Sequence, residues 1–155
     1  ALDNCHQVLG RYAYGWQIEP IVLDHAEVFG PTYEKLLRIG EERWTCLFCK
    51  RTLLKKAQEI AYQHRASALV TGDSLGQVAS QTLENLRIVS HGLELPVLRP
   101  LIGMDKIEVM ALARRIGTYE VSTREAQGCP FMPTNPLTRA SMDKFREIMA
   151  RLEAL

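Results

Sequence analysis

Two thiols separated by two residues, Cys46 and Cys49, are followed at once by two cations, Lys50 and Arg51. Thiolates at this spacing can chelate one metal ion or one iron of a cluster. A helix starting here would add its N-terminal dipole to the adjacent cations, and both favour thiolate over thiol. Cys129 stands far along the chain in Gln127-Gly128-Cys129-Pro130. Three thiolates suit a [4Fe-4S] cluster with one iron left open, whereas a structural zinc asks for a fourth ligand, from Cys5 or a histidine. The same residues could serve metal-free redox chemistry or be buried free thiols, and spacing alone leaves these readings open.

A second constellation is Thr71-Gly72-Asp73-Ser74-Leu75-Gly76-Gln77. It follows a short apolar run and precedes a helical pattern, which puts glycine, small side chains and a helix N-terminus at a strand's carboxyl end. Ligands of open α/β sheets bind at that edge. A tight strand-to-helix turn also needs glycine and a capping Asp or Ser for purely local reasons. His6, His25, His64 and His91 show no metal-ligand spacing and are read as surface or core residues. Trp16 and Trp44 are read as packing residues, and Arg114-Arg115 as part of a solvated helix face. Lys55-Lys56 could touch RNA phosphate, although exposed helix lysines are common.

These residues need elements to position them. Residues 2–13 read as a helix ending near Gly15, and Ile18 to Leu23 as a strand. The Gly30-Pro31 pair is expected to break the chain, with Thr32 capping a helix through Ile39 that Gly40 stops. A long helix is expected from about Cys46 to His64, with Leu53, Leu54, Ala57, Ile60 and Ala61 on one stripe. Ala68 to Gly72 reads as a buried strand, Val78 to Leu86 as a helix, and Leu95 to Leu101 as a strand limited by Pro96 and Pro100. Asp105 is expected to cap a helix to Ile116, with its apolar stripe at Val109, Leu112, Ala113 and Ile116. A loop over 118–137 precedes a last helix from Thr138 to about Leu152, with Met142, Phe145, Met149 and Leu152 on one face. Strands alternating with helices imply an α/β fold with a parallel sheet flanked by helices. Only about three strands are legible, fewer than the ~5 usual in such sheets, so the sheet is expected to lack strands.

With 155 residues, 46% hydrophobic and 24% charged, the chain fits one globular domain. A net charge of +1 excludes a strongly basic footprint over the whole surface and leaves room only for a local patch. No run approaches the ~20 apolar residues of a membrane span, and ALDNCHQ has no signal-peptide pattern, so a cytoplasmic chain is expected. The sequence begins at Ala1 rather than Met and is expected to be a fragment.

The stretch ALVTGDSLGQVASQTLENL, Ala68 to Leu86, resembles the signature of tRNA uridine 4-sulfurtransferases of the PP-loop ATP pyrophosphatase superfamily. The likeness continues through LRPLIGMDK and ALARRIGT and ends near Cys129, covering about 17–130. The resemblance implies a sheet of adenine-nucleotide alpha hydrolase type, with residues 1–155 forming the C-terminal part of a PP-loop domain. It implies ATP with Mg2+ as cosubstrate, tRNA as partner, and a sulfur donor such as hydrosulfide or a persulfide carrier. By motif position, Gly72 and Gln81 match nucleotide-contacting residues, Lys50 or Arg51 a basic position near ATP, and Cys129 the catalytic cysteine. Asp73 and Ser74 would line the same pocket.

Two features depart from the family pattern. The phosphate-binding string SGGxDS is absent from these residues. Cys46 and Cys49 resemble instead the variant of anaerobes, particularly methanogens, in which CxxC and the later cysteine hold an iron–sulfur cluster. Three readings follow: thiolation through a Cys46/Cys49/Cys129 cluster; thiolation through a Cys129 persulfide resolved by Cys46 or Cys49; or a non-catalytic scaffold that needs another segment to bind ATP. An exposed sheet edge is expected to favour a homodimer.

Overall fold

The computed structural model describes residues 2–77, 81–124 and 128–155. In chain order the elements are α1 (Leu2–Tyr12), α2 (His25–Arg38), a 3-10 turn (Glu42–Trp44), α3 (Thr45–Gln63), β1 (Leu69–Val70), α4 (Leu83–Val89), β2 (Val97–Leu98), α5 (Lys106–Arg115), α6 (Tyr119–Ser122) and α7 (Met142–Glu153).

Apolar side chains from four helices meet in one core. Phe29 and Leu36 of α2 pack with Leu47 and Phe48 of α3, Ile88 and Val89 of α4, and Phe145, Ile148 and Leu152 of α7. Burying each such side chain stabilises the fold by about 1.5–3 kcal/mol, which makes α3 the spine against which the other layers settle. A polar clamp closes the core. Asn85 of α4 is fully buried and accepts from the Ala140 N–H at 3.0 Å while donating to the carbonyls of Leu137 and Thr138 at 3.1 Å each.

On the other side of α3, β1 and β2 pair in parallel, with Leu69 opposite Val97 and Val70 opposite Leu98. Parallel neighbours need a crossover, and α4 supplies it. Both strands therefore end at the same edge, where Thr71 N–H still donates to Leu98 at 3.0 Å. This is an α/β arrangement with a parallel sheet flanked by helices, as the alternation implied. Among the described residues the sheet has two strands, and the far edge of β1 is unpaired. Ile21, Leu53, Ile60 and Val70 line an open apolar groove along that edge.

Several elements differ from the sequence expectation. Residues 18–23 form no strand, and Ile18, Ile21, Val22 and Leu23 are exposed. Pro20 cannot donate to a ladder, and the segment has no strand partner among the described residues. Helix α2 begins before Gly30-Pro31, not after it. Asp24 caps it, accepting from Ala26 at 2.7 Å and Glu27 at 3.2 Å, and Pro31 lies inside the helix. That cap and the burial of Phe29 and Leu36 outweigh the local preference of proline to end a helix. Helix α4 starts at Leu83 under a Thr82 cap; Val78 to Ser80, where its start was expected, lie outside the described residues.

Asp105 caps α5 as expected and forms a reciprocal capping box with Glu108. Gly117 ends the helix at φ +72°, the left-handed conformation that favours glycine. None of the residues of α5 is buried, so its apolar stripe is only partly covered. Helix α6 occupies part of the expected loop and packs against α5 and α1. Helix α7 starts at Met142 under a Ser141 cap rather than at Thr138.

Candidate active site

The common edge of β1 and β2 carries an ionic cluster centred on Asp73. Lys50, one turn into α3, reaches Asp73 Oδ1 at 3.0 Å. Arg99, the first residue after β2, reaches Oδ2 at 3.3 Å with Nε and donates from Nη2 to Ser90 at 2.7 Å. Thr71 donates to Oδ2 at 2.8 Å and Gln81 to Oδ1 at 3.4 Å. Burial pushes the Asp73 carboxyl up, but the hydrogen bonds from Thr71 and Lys50, the charge of Lys50 and the Gln81 contact outweigh it and hold the group below the ordinary carboxylate value. The side-chain oxygen Oε1 of Gln81 is buried with no protein partner. A Cβ built on Gly72 would meet no atom within 4 Å, so the backbone there faces open space. Ser74 turns inward, is buried, and donates to the Met104 carbonyl, tying the loop to the turn after β2.

Two thiols, Cys46 and Cys49, lie on the same helix as Lys50, and Cys129 lies in the segment before α7. Cys46 and Cys49 are partly buried at the start of α3, and Cys129 is exposed. Burial raises both α3 thiols, Cys129 raises them further, and Lys50 opposes the rise. For Cys49, where Cys46 adds to the effect, the thiol is pushed up to about 11. Cys129 is therefore near enough to act electrostatically on both α3 thiols. Cys49 Sγ has a direct partner: His25 Nε2, at 3.0 Å. Cys5 lies on α1, whose packing partner is α6, and does not join the group. Among the described residues no three His, Cys, Asp or Glu side chains close on a single ion-sized point.

The two cations after the CxxC pair separate. Lys50 faces Asp73, whereas Arg51 is 7% exposed, donates to the His91 carbonyl and stacks 5.4 Å over the Phe145 ring. Lys50, Asp73, Gln81 and Gly72 thus gather at the strand edge, while Arg51 and Ser74 serve the interior. Sequence reading missed Arg99 and His25. Arg99 had a usable signal, since it follows a strand at the same sheet edge as Asp73. His25 had none: it meets Cys49 only because α2 is capped at Asp24, eight residues before the Thr32 cap that the Gly30-Pro31 pair suggests.

A parallel β1-α4-β2 unit with an ionic cluster at its carboxyl edge and a thiol-bearing helix beside it defines an α/β domain of PP-loop-like type. Its backbone is similar to that of a solved protein described as a 4-thiouridine synthetase–RNA complex with bound ATP, with a TM-score of 0.72 and 34% identity, covering 81% of this chain and 33% of the other. The chain belongs to the family described as thiamine biosynthesis protein (ThiI), matched over residues 1–154. It is 44% identical over 140 residues to a probable tRNA sulfurtransferase of Methanocaldococcus jannaschii, covering 90% of this chain and 37% of the relative. The corresponding figures are 45% over 143 residues for a protein of the same name in Thermococcus kodakarensis, covering 90% and 36%. For that of Caldanaerobacter subterraneus they are 39% over 154 residues, covering 98% and 39%. The chain thus spans between a third and two fifths of the relatives it matches.

Proposed function

We propose that residues 1–155 form the later part of a PP-loop ATP pyrophosphatase domain that acts in tRNA thiolation. ATP, with Mg2+, adenylates the C4 oxygen of a tRNA uridine, and sulfur then displaces AMP to leave 4-thiouridine. Lys50 carries this reading. It pairs with Asp73 at the strand edge and lies one residue after Cys49 on α3, so a nucleotide site and a sulfur site share one wall. The names of the relatives and the ATP-bound RNA complex support it.

A carbonyl oxygen is a poor leaving group. Attack of the C4 oxygen on the α-phosphorus releases pyrophosphate and converts that oxygen into part of a phosphate ester, which then leaves as AMP. Lys50 and Arg99 supply positive charge where phosphate charge must be held, with Asp73 fixing both side chains. The open backbone at Gly72 admits the nucleotide, and the unpartnered Gln81 Oε1 offers an acceptor for its amino or hydroxyl groups. Mg2+ would arrive on the phosphates of ATP.

Sulfur must arrive as a strong nucleophile. Cys46, Cys49 and Cys129 have the donor chemistry for a [4Fe-4S] cluster, and Cys129 acts electrostatically on both α3 thiols, although the three side chains do not gather around one ion. Such a cluster, when bound, would supply a binding position for hydrosulfide. Without it, a persulfide on Cys129 serves, and Cys46 or Cys49 resolves the linkage left after transfer. In the cluster route hydrosulfide is the donor; in the metal-free route a persulfide carrier passes its outer sulfur to the Cys129 thiolate and leaves as its own thiolate. A homodimer through the open β1 edge and a cytoplasmic setting complete the proposal; no described helix is long and apolar enough to cross a membrane.

A second reading is a scaffold of the same fold that needs another segment to bind ATP, and the lack of an SGGxDS string in these residues favours it. Calorimetry with Mg-ATP separates the two, using the chain alone and then mixed with an SGGxDS-bearing segment of a relative. Tight binding only in the mixture, with AMP formed when unmodified tRNA is added, fits a catalytic domain completed by that segment. Binding without AMP formation in the mixture fits the scaffold.

A further inference from the structure

Cys129 belongs to a tight turn, Cys129-Pro130-Phe131-Met132, closed by the Met132 N–H on the Cys129 carbonyl at 3.3 Å. Proline at the second position presets the backbone of such a turn. Phe131, two residues from the sulfur, is therefore a rigid extension of the Cys129 backbone. Its ring meets three rings of one helix, all from α2: Tyr33 at 4.9 Å, His25 at 5.2 Å and Phe29 at 5.4 Å. The contacts to His25 and Phe29 are edge-to-face, each with an interplanar angle of 88°. Phe29 is fully buried and His25 stacks on it at 5.8 Å, so the base of this socket is fixed by the core. The same His25 ring contacts Cys49 Sγ at 3.0 Å. One ring thus touches both the CxxC turn and the anchor of the Cys129 turn, segments 80 residues apart in the chain, Cys49 against Cys129.

We propose that Phe131, seated among His25, Phe29 and Tyr33 of α2, is the positioning residue that holds the Cys129 turn against Cys46 and Cys49. The inference deepens the sulfur-site reading above: whichever sulfur chemistry operates, the distance from Cys129 to the CxxC pair is set by an aromatic latch rather than by a bond between the thiols.

The test is thiol cross-linking at fixed pH in the reduced, chelator-treated 155-residue chain. Bismaleimidoethane is the probe, and peptide mass spectrometry counts Cys129–Cys49 and Cys129–Cys46 bridges. Losing the latch dilutes the effective concentration of Cys129, so Phe131→Ala should bridge roughly tenfold more slowly than the parent. Phe131→Tyr should restore the rate to within about twofold, because the ring edge is kept. Labelling of Cys5 and the far-UV circular dichroism should not change. Tyr33→Leu, which removes the nearest ring and leaves the fully buried Phe29, is the second variant and should also slow bridging. No bridging in the parent, or parental rates in both Phe131→Ala and Tyr33→Leu, overturns the proposal. If Phe131→Ala loses helical signal, Tyr33→Leu alone decides. Slow bridging in the variants together with undiminished thiolation would keep the latch and remove the role of Cys129 in sulfur transfer.

Discussion

Lys50 Nζ and Asp73 Oδ1 meet at 3.0 Å across the seam between α3 and the loop after β1. The pair joins the helix that carries the CxxC thiols to the strand edge that faces open space at Gly72. Half-buried ion pairs of this kind are costly to break from one side, because the remaining charge loses its partner.

Lys50→Met should therefore lower ATP-dependent AMP formation by roughly tenfold to a hundredfold, about 1.5–3 kcal/mol for a hydrogen bond to a charged group. Asp73, held below its ordinary value of 3.8, stabilises the fold above that pH and loses the contribution as pH falls through its folded value. The melting temperature of Lys50→Met should thus fall below the parent at pH 7 and converge with it in acid. Thermal scans across pH check this; an equal deficit at all pH values would contradict it.

Arg99→Lys should not rescue Arg99→Ala. Arginine touches Asp73 through Nε and Ser90 through Nη2 at once, and a single ammonium cannot span both. Both variants should show the same loss in a pyrophosphate-release assay.

Cys49, with its thiol pushed up to about 11, should stay protonated near neutral pH. Its alkylation at pH 8 should run roughly a hundredfold below that of an ordinary thiol of pKa about 8.5, and should rise steeply only as pH approaches 11. Peptide-resolved iodoacetamide labelling of the metal-free chain across pH measures this. A plateau reached by pH 9 would contradict it.

Asn85→Ala should destabilise the fold by roughly 2–4 kcal/mol, since it strands a buried N–H and two carbonyls on residues 137–140. Denaturant unfolding reports the change. Asn85→Asp should not recover it, because a carboxylate cannot donate to those carbonyls.

Much of this architecture is legible in the residues themselves. The length of α3, the Asp105 cap and the Gly117 stop follow from local rules, and the β1-α4-β2 order follows from alternation. Motif position names Gly72, Asp73, Ser74, Gln81 and either Lys50 or Arg51 for one pocket; Lys50, Asp73 and Gln81 meet at the strand edge, whereas Arg51 and Ser74 turn inward. What was not legible depends on tertiary contacts. Asp24 starts α2 through two backbone hydrogen bonds, and the burial of Phe29 overrides Pro31, so His25 arrives at Cys49 unannounced. Residues 18–23 have the composition of a strand but no strand partner among the described residues. Neighbouring Lys50 and Arg51 look equivalent in sequence, yet helical geometry turns them to different sides, one to Asp73 and one to Phe145.

In the proposed function, nucleotide activation and sulfur delivery sit on one wall but on different residues. Cys129→Ser separates the two steps in the presence of an SGGxDS-bearing segment, unmodified tRNA, Mg-ATP and, in parallel reactions, sulfide or a persulfide carrier. AMP release and 4-thiouridine are quantified in the same reactions by mass spectrometry of nucleosides. AMP should form at near-parental levels while 4-thiouridine falls to background. Parental 4-thiouridine from Cys129→Ser, or loss of AMP together with the thionucleoside, would contradict it.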